Sequence, residues 1–203
     1  MERKQTYTHR LIELARRHGV LRAGDLKEHG IPRVYLTRLV GDGVLERSSR
    51  GVYVLAEAEV TENHSLAEAC RRIPHGVVCL LSALRFHGLT TQSPFEVWLA
   101  IDRKARLPKV DYPPLRVVRF SGSDLTAGVM THNVEGVTVK VTAPARTVAD
   151  CFAYRNTVGT DVALEALRDC LRQKLASPDD LYRAAKARRM GNVMRPYLEA
   201  TIT

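Results

Sequence analysis

The feature that most constrains this chain is a change of hydrophobic period at Gly41-Asp42-Gly43. Before it, apolar residues recur three and four apart; after it they alternate, and both patterns fit within about 55 residues. From Thr6 to His18, Leu11, Leu14, Ala15 and the His18 stem fall at i, i+3, i+4 and i+7, with Gly19 placed to end a helix. A second short helix is predicted over about Arg22 to His29, ending at Gly30, and Ile31-Pro32 opens a third with proline in its first turn. In that third helix Leu36, Leu39 and Val40 share one side. This turns Val34, Thr37, Arg38 and Gly41 outward and leaves Arg33 and Tyr35 near the edges. Beyond the glycines, Val44-Leu45-Glu46-Arg47 and Val52-Tyr53-Val54-Leu55 read as strands around Ser48-Ser49-Arg50-Gly51. Three helices and a hairpin in this order predict a winged helix-turn-helix.

Such a module reads DNA by laying one helix in the major groove and a hairpin against the backbone or the minor groove. Arg33, Tyr35, Thr37 and Arg38 are the candidate groove contacts on the third helix. At the hairpin tip Arg47 and Arg50 bracket Ser48-Ser49, and all four are candidate wing contacts. Charge agrees with this assignment. The chain has 31 Lys and Arg against 22 Asp and Glu, net +9, and residues 1–55 alone hold 11 basic and 6 acidic side chains. An excess of positive charge favours polyanions by steering and counterion release, so double-stranded DNA is the expected partner. The same residues also suit a small packing unit with solvated arginines, or a winged helix that binds protein.

The remainder follows a different plan. Ala56 to Val60 reads as a short acid-rich linker, and Ser65-Leu66-Ala67-Glu68 as a capping box opening a helix that ends near Ile73-Pro74. Gly76 to Leu89 is almost wholly apolar and predicts a core helix stopped by Gly88. Strands are predicted at Phe95 to Ile101, Leu115 to Phe120, Val129 to Val134 and Val137 to Val141, the last two joined by a hairpin turn at Glu135-Gly136. Helices then start at Pro144, at Asp161, after Ser177-Pro178-Asp179-Asp180 and near Asn192. The expected architecture is α+β. A winged helix-turn-helix at residues 1–58 precedes a larger mixed α/β domain with C-terminal helices at residues 61–203.

The run from Ile31 to Arg47, closed by Arg50-Gly51-Val52-Tyr53, resembles the winged-helix start of the AbiEi family of type IV antitoxins, relatives of abortive-infection transcriptional regulators. Leu81-Ser82-Ala83-Leu84 with His87-Gly88-Leu89, and the run Thr142 to Cys151, resemble strings of that family's C-terminal antitoxin domain. The resemblance implies a protein that represses its own promoter by binding operator repeats through the first domain. It implies that the second domain counteracts a cognate nucleotidyltransferase-like toxin, with direct contact left open, and that Ser82, His87, Arg146 and Asp150 are its motif residues. Taken by themselves, Arg146 and Asp150 are an i,i+4 pair suited to a helix surface, and Ser82 is a core hydroxyl bonding back to its own helix.

Other chemistries find little support. Cys70, Cys79, Cys151 and Cys170 form no Cys-x-x-Cys pair and read as buried reduced thiols; Cys70 and Cys79 with His75 and His87 lack the spacing of a zinc site. Asp102-Arg103-Lys104 resembles half of a magnesium-dependent nuclease site. This makes a winged-helix-targeted nuclease the alternative function, but residues 76–95 contain no acid to complete it and Glu96 shares the same strand. No phosphate loop, dinucleotide fingerprint or nucleophile elbow is present. The expectation is a non-enzyme without cofactor or metal; a third reading is a plain regulator whose second domain senses a ligand or oligomerises. The most apolar run, Val77 to Leu84, is eight residues long, against the ~20 that span a bilayer. No membrane partner is expected, the arginine-rich N-terminus lacks a secretory pattern, and the expected location is the cytoplasm.

Overall fold

The computed structural model describes residues 2–56 and 61–202, so most of the expected linker, residues 57–60, lies outside the described residues. The chain is α+β, with helices and two sheets. Two compact units divide it. The first comprises Met1–Pro74, Lys109–Pro113 and His132–Val139; the second comprises His75–Pro108, Pro114–Thr131 and Lys140–Thr203. Residues 61–74, assigned to the second domain by the sequence pattern, group with the first unit.

The first unit runs α1 (Glu2–His18), β1 (Val20–Arg22), α2 (Asp25–Glu28), α3 (Val34–Gly41), β2 (Leu45–Ser49), β3 (Val52–Leu55) and α4 (His64–Arg72). Leu11, Ala15, Leu36 and Leu39, which the helical periodicity turns inward, form its core together with Leu21, Leu26 and Leu45; Leu14 and Val40 pack against it partly buried. Strand β1 is a departure from expectation. Gly19 at φ +65° ends α1, and Val20 and Leu21 then pair with Val54 and Tyr53, so the three strands lie in the order β1-β3-β2, all antiparallel. Three residues are too few to show an alternation, and the second helix correspondingly shrinks to four. Helix α4 begins at His64, and Asn63 before it makes no side-chain cap, so the expected capping box does not form; Glu68 is fully buried instead.

The hairpin turn at Glu135-Gly136 forms as expected, with both residues at positive φ, between β7 (Val129–Val134) and β8 (Val137–Thr142). Its tip packs within the first unit against the end of α1. There Gly19 and Gly136 each lie so close to the other segment's backbone that a Cβ on either would overlap it. Two glycines thus permit a contact between main chains that any larger residue would prevent.

The second unit adds β4 (Val77–Val78), α5 (Leu80–Phe86), β5 (Val97–Asp102), β6 (Leu115–Phe120), a 3₁₀ turn at Gly122–Leu125, and helices α6 (Pro144–Ala153), α7 (Arg155–Val158), α8 (Thr160–Arg172), α9 (Pro178–Ala187) and α10 (Gly191–Ile202). The five-stranded sheet has the order β6-β5-β4-β8-β7, mixed as expected: β4 runs antiparallel to β5 and parallel to β8, and β5 parallel to β6. The predicted helix from Gly76 to Leu89 is the largest correction. Val77 and Val78 form the central strand, Cys79 is extended, and α5 has only seven residues. A short apolar run suits a buried strand and a buried helix equally, and the place between β5 and β8 decides for the strand. Phe152, Leu84, Trp98, Phe120, Val148 and Leu167 belong to the core on the helical side. Ser177 opens α9 at the N-terminus its sequence predicts, and Asp180 completes a reciprocal capping box with it.

Candidate nucleic-acid interface

Helix α3 buries Leu36 and Leu39 and exposes Arg33, Val34, Thr37, Arg38 and Gly41. Val34 is 67% exposed, an apolar residue of a size suited to touching a base methyl. Tyr35 departs from the expected role. It is only 9% exposed, and its ring packs 5.4 Å from that of Tyr7 on α1, so it supports the helix from behind. The exposed strip is therefore two arginines, a hydroxyl and a methyl-bearing side chain on one helix face.

The β2–β3 hairpin turns at Gly51, φ +77°, and its ladder shifts register between Glu46 and Ser49. Arg47 and Arg50 are exposed, as expected of a cationic tip. Ser48 and Ser49 are not free to serve as donors there: both hydroxyls donate to Glu68 on α4, at 3.1 Å to Oε2 and 2.7 Å to Oε1. Arg72 stands 3.6 Å from the same carboxylate. Glu68 is the residue that sequence reasoning missed, because its spacing from Ser65 matched a capping box and nothing local marks a partner twenty residues upstream.

Helix α4 is held to the rest of its unit at two further points. Asp25 at the start of α2 pairs with Arg71 and accepts the Arg22 backbone N–H at 3.0 Å. Glu135 accepts from the Thr61 N–H and hydroxyl and bonds His64 Nδ1 at 2.6 Å. Cations crowd this side of the unit. Burial and then Arg22 lower the pKa of Arg71, burial and then Arg72 lower that of Arg22, and burial followed by Arg71, Arg17 and His29 lowers that of His18.

In the second unit the structure brings the two motif strings together at Thr142. His87 Nε2 donates to the Thr142 carbonyl at 2.8 Å, and the Thr147 hydroxyl donates to the same oxygen at 2.8 Å. Ser82 does not bond back along its helix. Its Oγ accepts the Trp98 N–H at 2.9 Å and donates to Glu96 O at 3.4 Å, joining α5 to β5. Arg146 and Asp150 are no surface pair: their side chains are 7% and 0% exposed, with Nε 3.3 Å from Oδ2. Arg188, at the end of α9, reaches Asp150 Oδ1 at 2.5 Å and Asp124 Oδ1 at 2.7 Å. Arg146 also donates to the carbonyls of Ala127 and Asp124. Both guanidinium groups lie over the Phe120 ring, 5.2 and 5.3 Å from its centroid. Burial pushes the Asp150 carboxyl up against the opposing pull of Arg188 and Arg146. Burial alone would lower Arg188, but Asp150 and Asp124 hold it up.

The remaining candidates resolve simply. Cys79 is buried, its thiol donates to the Trp98 carbonyl at 3.8 Å, and burial raises its pKa. Asp102 Oδ1 accepts the Lys104 N–H at 2.8 Å, forming a turn that Arg119 braces by donating to Asp102 O and Ala105 O. Among the described residues no group of three His, Cys, Asp or Glu side chains is placed to hold a metal, and no helix is long and apolar enough to cross a membrane.

Three helices on a three-stranded antiparallel sheet, with an exposed basic helix, fit the winged helix-turn-helix class. Residues 9–56 match the family model described as "Transcriptional regulator, AbiEi antitoxin", which bears out the resemblance over that segment. The fold is similar to the crystal structure of the RV2827C protein from Mycobacterium tuberculosis, at a TM-score of 0.60 and 18% sequence identity, covering 89% of this chain and 71% of that one. No curated protein matches the chain.

Proposed function

We propose that the chain is a transcriptional autorepressor and the antitoxin of a type IV toxin-antitoxin system, counteracting a nucleotidyltransferase-like toxin. The observation that carries the DNA-binding half is the pairing, in the unit matched by the AbiEi model, of an exposed Arg33, Thr37 and Arg38 strip with exposed arginines on both sides of a hairpin tip. Arg38 and Arg33 would donate to base edges and phosphates in the major groove. Arg47 and Arg50 would lie against the backbone as a wing. The antitoxin half rests on the family described for residues 9–56 and on the second domain's resemblance to the AbiEi antitoxin domain.

A gel-shift titration of the chain's own promoter with Arg38→Ala/Arg50→Ala protein tests the first half, and wild-type binding by that variant would overturn it. Co-expression of the wild-type chain and of the same variant with a nucleotidyltransferase-like toxin tests the second. Rescue of growth without promoter repression is expected, and loss of rescue would tie antitoxicity to DNA binding.

A further inference from the structure

We propose that Glu68 is a positioning residue for the DNA-binding hairpin, so that the reading head extends through α4, beyond the segment that the family model covers. The proposal rests on the DNA-binding function above.

Successive residues of a regular strand point to opposite faces, so Ser48 and Ser49 should not reach one acceptor. They do so here, at 3.1 and 2.7 Å, because the β2–β3 ladder slips between Glu46 and Ser49. Irregularities of this kind bend a strand and re-aim its side chains. The acceptor is a fully buried carboxylate, which stays in place only while it is hydrogen-bonded and paired. Two serine hydroxyls and the Arg72 guanidinium, 3.6 Å away, supply those partners. With both serines drawn inward to α4, the flanking residues Arg47 and Arg50 are left exposed on either side of the pair. Glu68 thereby sets the direction of the two wing cations without itself meeting DNA. The helix that carries it is anchored independently by Asp25 to Arg71 and by Glu135 to His64, so the clamp has a fixed base.

The test uses the full chain and a short duplex of random sequence, since wing contacts to phosphate are independent of sequence. Removing both hydroxyls with Ser48→Ala/Ser49→Ala is expected to weaken binding about tenfold and to flatten the salt slope by about one to two, as loss of the arginine contacts would. Glu68→Ala should do the same, and Glu68→Gln, which can still accept from one serine, should recover most of the affinity. In an Arg47→Ala/Arg50→Ala background neither Glu68→Ala nor the serine pair should cost anything further.

A tenfold loss that persists in that background would show a merely structural role and overturn the proposal, as would native binding by the serine pair. Should Glu68→Ala fail to fold, the serine pair decides alone. If Arg47→Ala/Arg50→Ala itself bound like wild type, the wing assignment would fail, an outcome distinct from the failure of the clamp.

Discussion

Arginine meets opposite environments in the two units. In the first, Arg33, Arg38, Arg47 and Arg50 stand exposed on a helix face and a hairpin, and among the described residues no carboxylate pairs with them. In the second, Arg146 and Arg188 are folded over Phe120, close on Asp150 from both sides and reach Asp124 and the carbonyls around it. Water solvates the first set at little cost to the fold, so those charges are available to a polyanion. The second set is withdrawn from most of its water, Arg146 buried and Arg188 half-buried, and finds its partners inside the protein. Position in the fold therefore separates cations that stay in water, available to a partner, from cations that hold the structure, although the residue type is the same.

The largest effect expected from breaking this contrast is in the second unit. Asp150→Ala takes the carboxylate from the buried Arg146 and leaves the half-buried Arg188 with Asp124 alone, and should cost about 3–5 kcal/mol, read by denaturant unfolding. A loss under 1 kcal/mol would mean that the cluster relaxes into water and that its burial is of little consequence. Next comes Arg38→Ala, which should cost about 1–3 kcal/mol of operator binding and relax preference at one base position. Its unfolding midpoint should stay at the wild-type value, because an exposed helix side chain supports nothing else; a lowered midpoint would place Arg38 with the structural arginines.

Arg47→Ala or Arg50→Ala should weaken all duplex sequences alike and lower the salt slope by about one each, seen in binding isotherms across salt concentration. The smallest effect concerns α9. Bonds from the Ser177 hydroxyl and N–H hold the Asp180 carboxyl below the ordinary carboxylate range. A depressed folded value means that the cap's contribution is present above the unfolded pKa and is lost as pH falls through the folded one. Protection factors of the amides in the first turn of α9, rates corrected for intrinsic exchange, should fall on acidification below that range, and those of Asp180→Asn should not.

Much of the fold is legible in the sequence by itself, for local reasons. The hydrophobic stripe of α1, the inward Leu36 and Leu39, the turn at Glu135-Gly136, the N-terminus of α6 at Pro144 and that of α9 at Ser177 each depend on residues within a turn or two, where spacing alone specifies geometry. The outward Arg38 of α3 follows from the same periodicity. What only the tertiary structure decides depends on partners distant in sequence. Val77-Val78 is a strand because β5 and β8 offer a place between them, Tyr35 turns inward because Tyr7 lies behind it, and Ser82 bonds a strand sixteen residues on. Glu68 matches a helix cap by spacing yet is the buried acceptor of the hairpin, and Arg188 joins Asp150 across 38 positions with no local sign of either. A burial cost acts only once the chain has closed around a charge, so which carboxylate meets which arginine is settled by packing and lies beyond the reach of any short window of sequence.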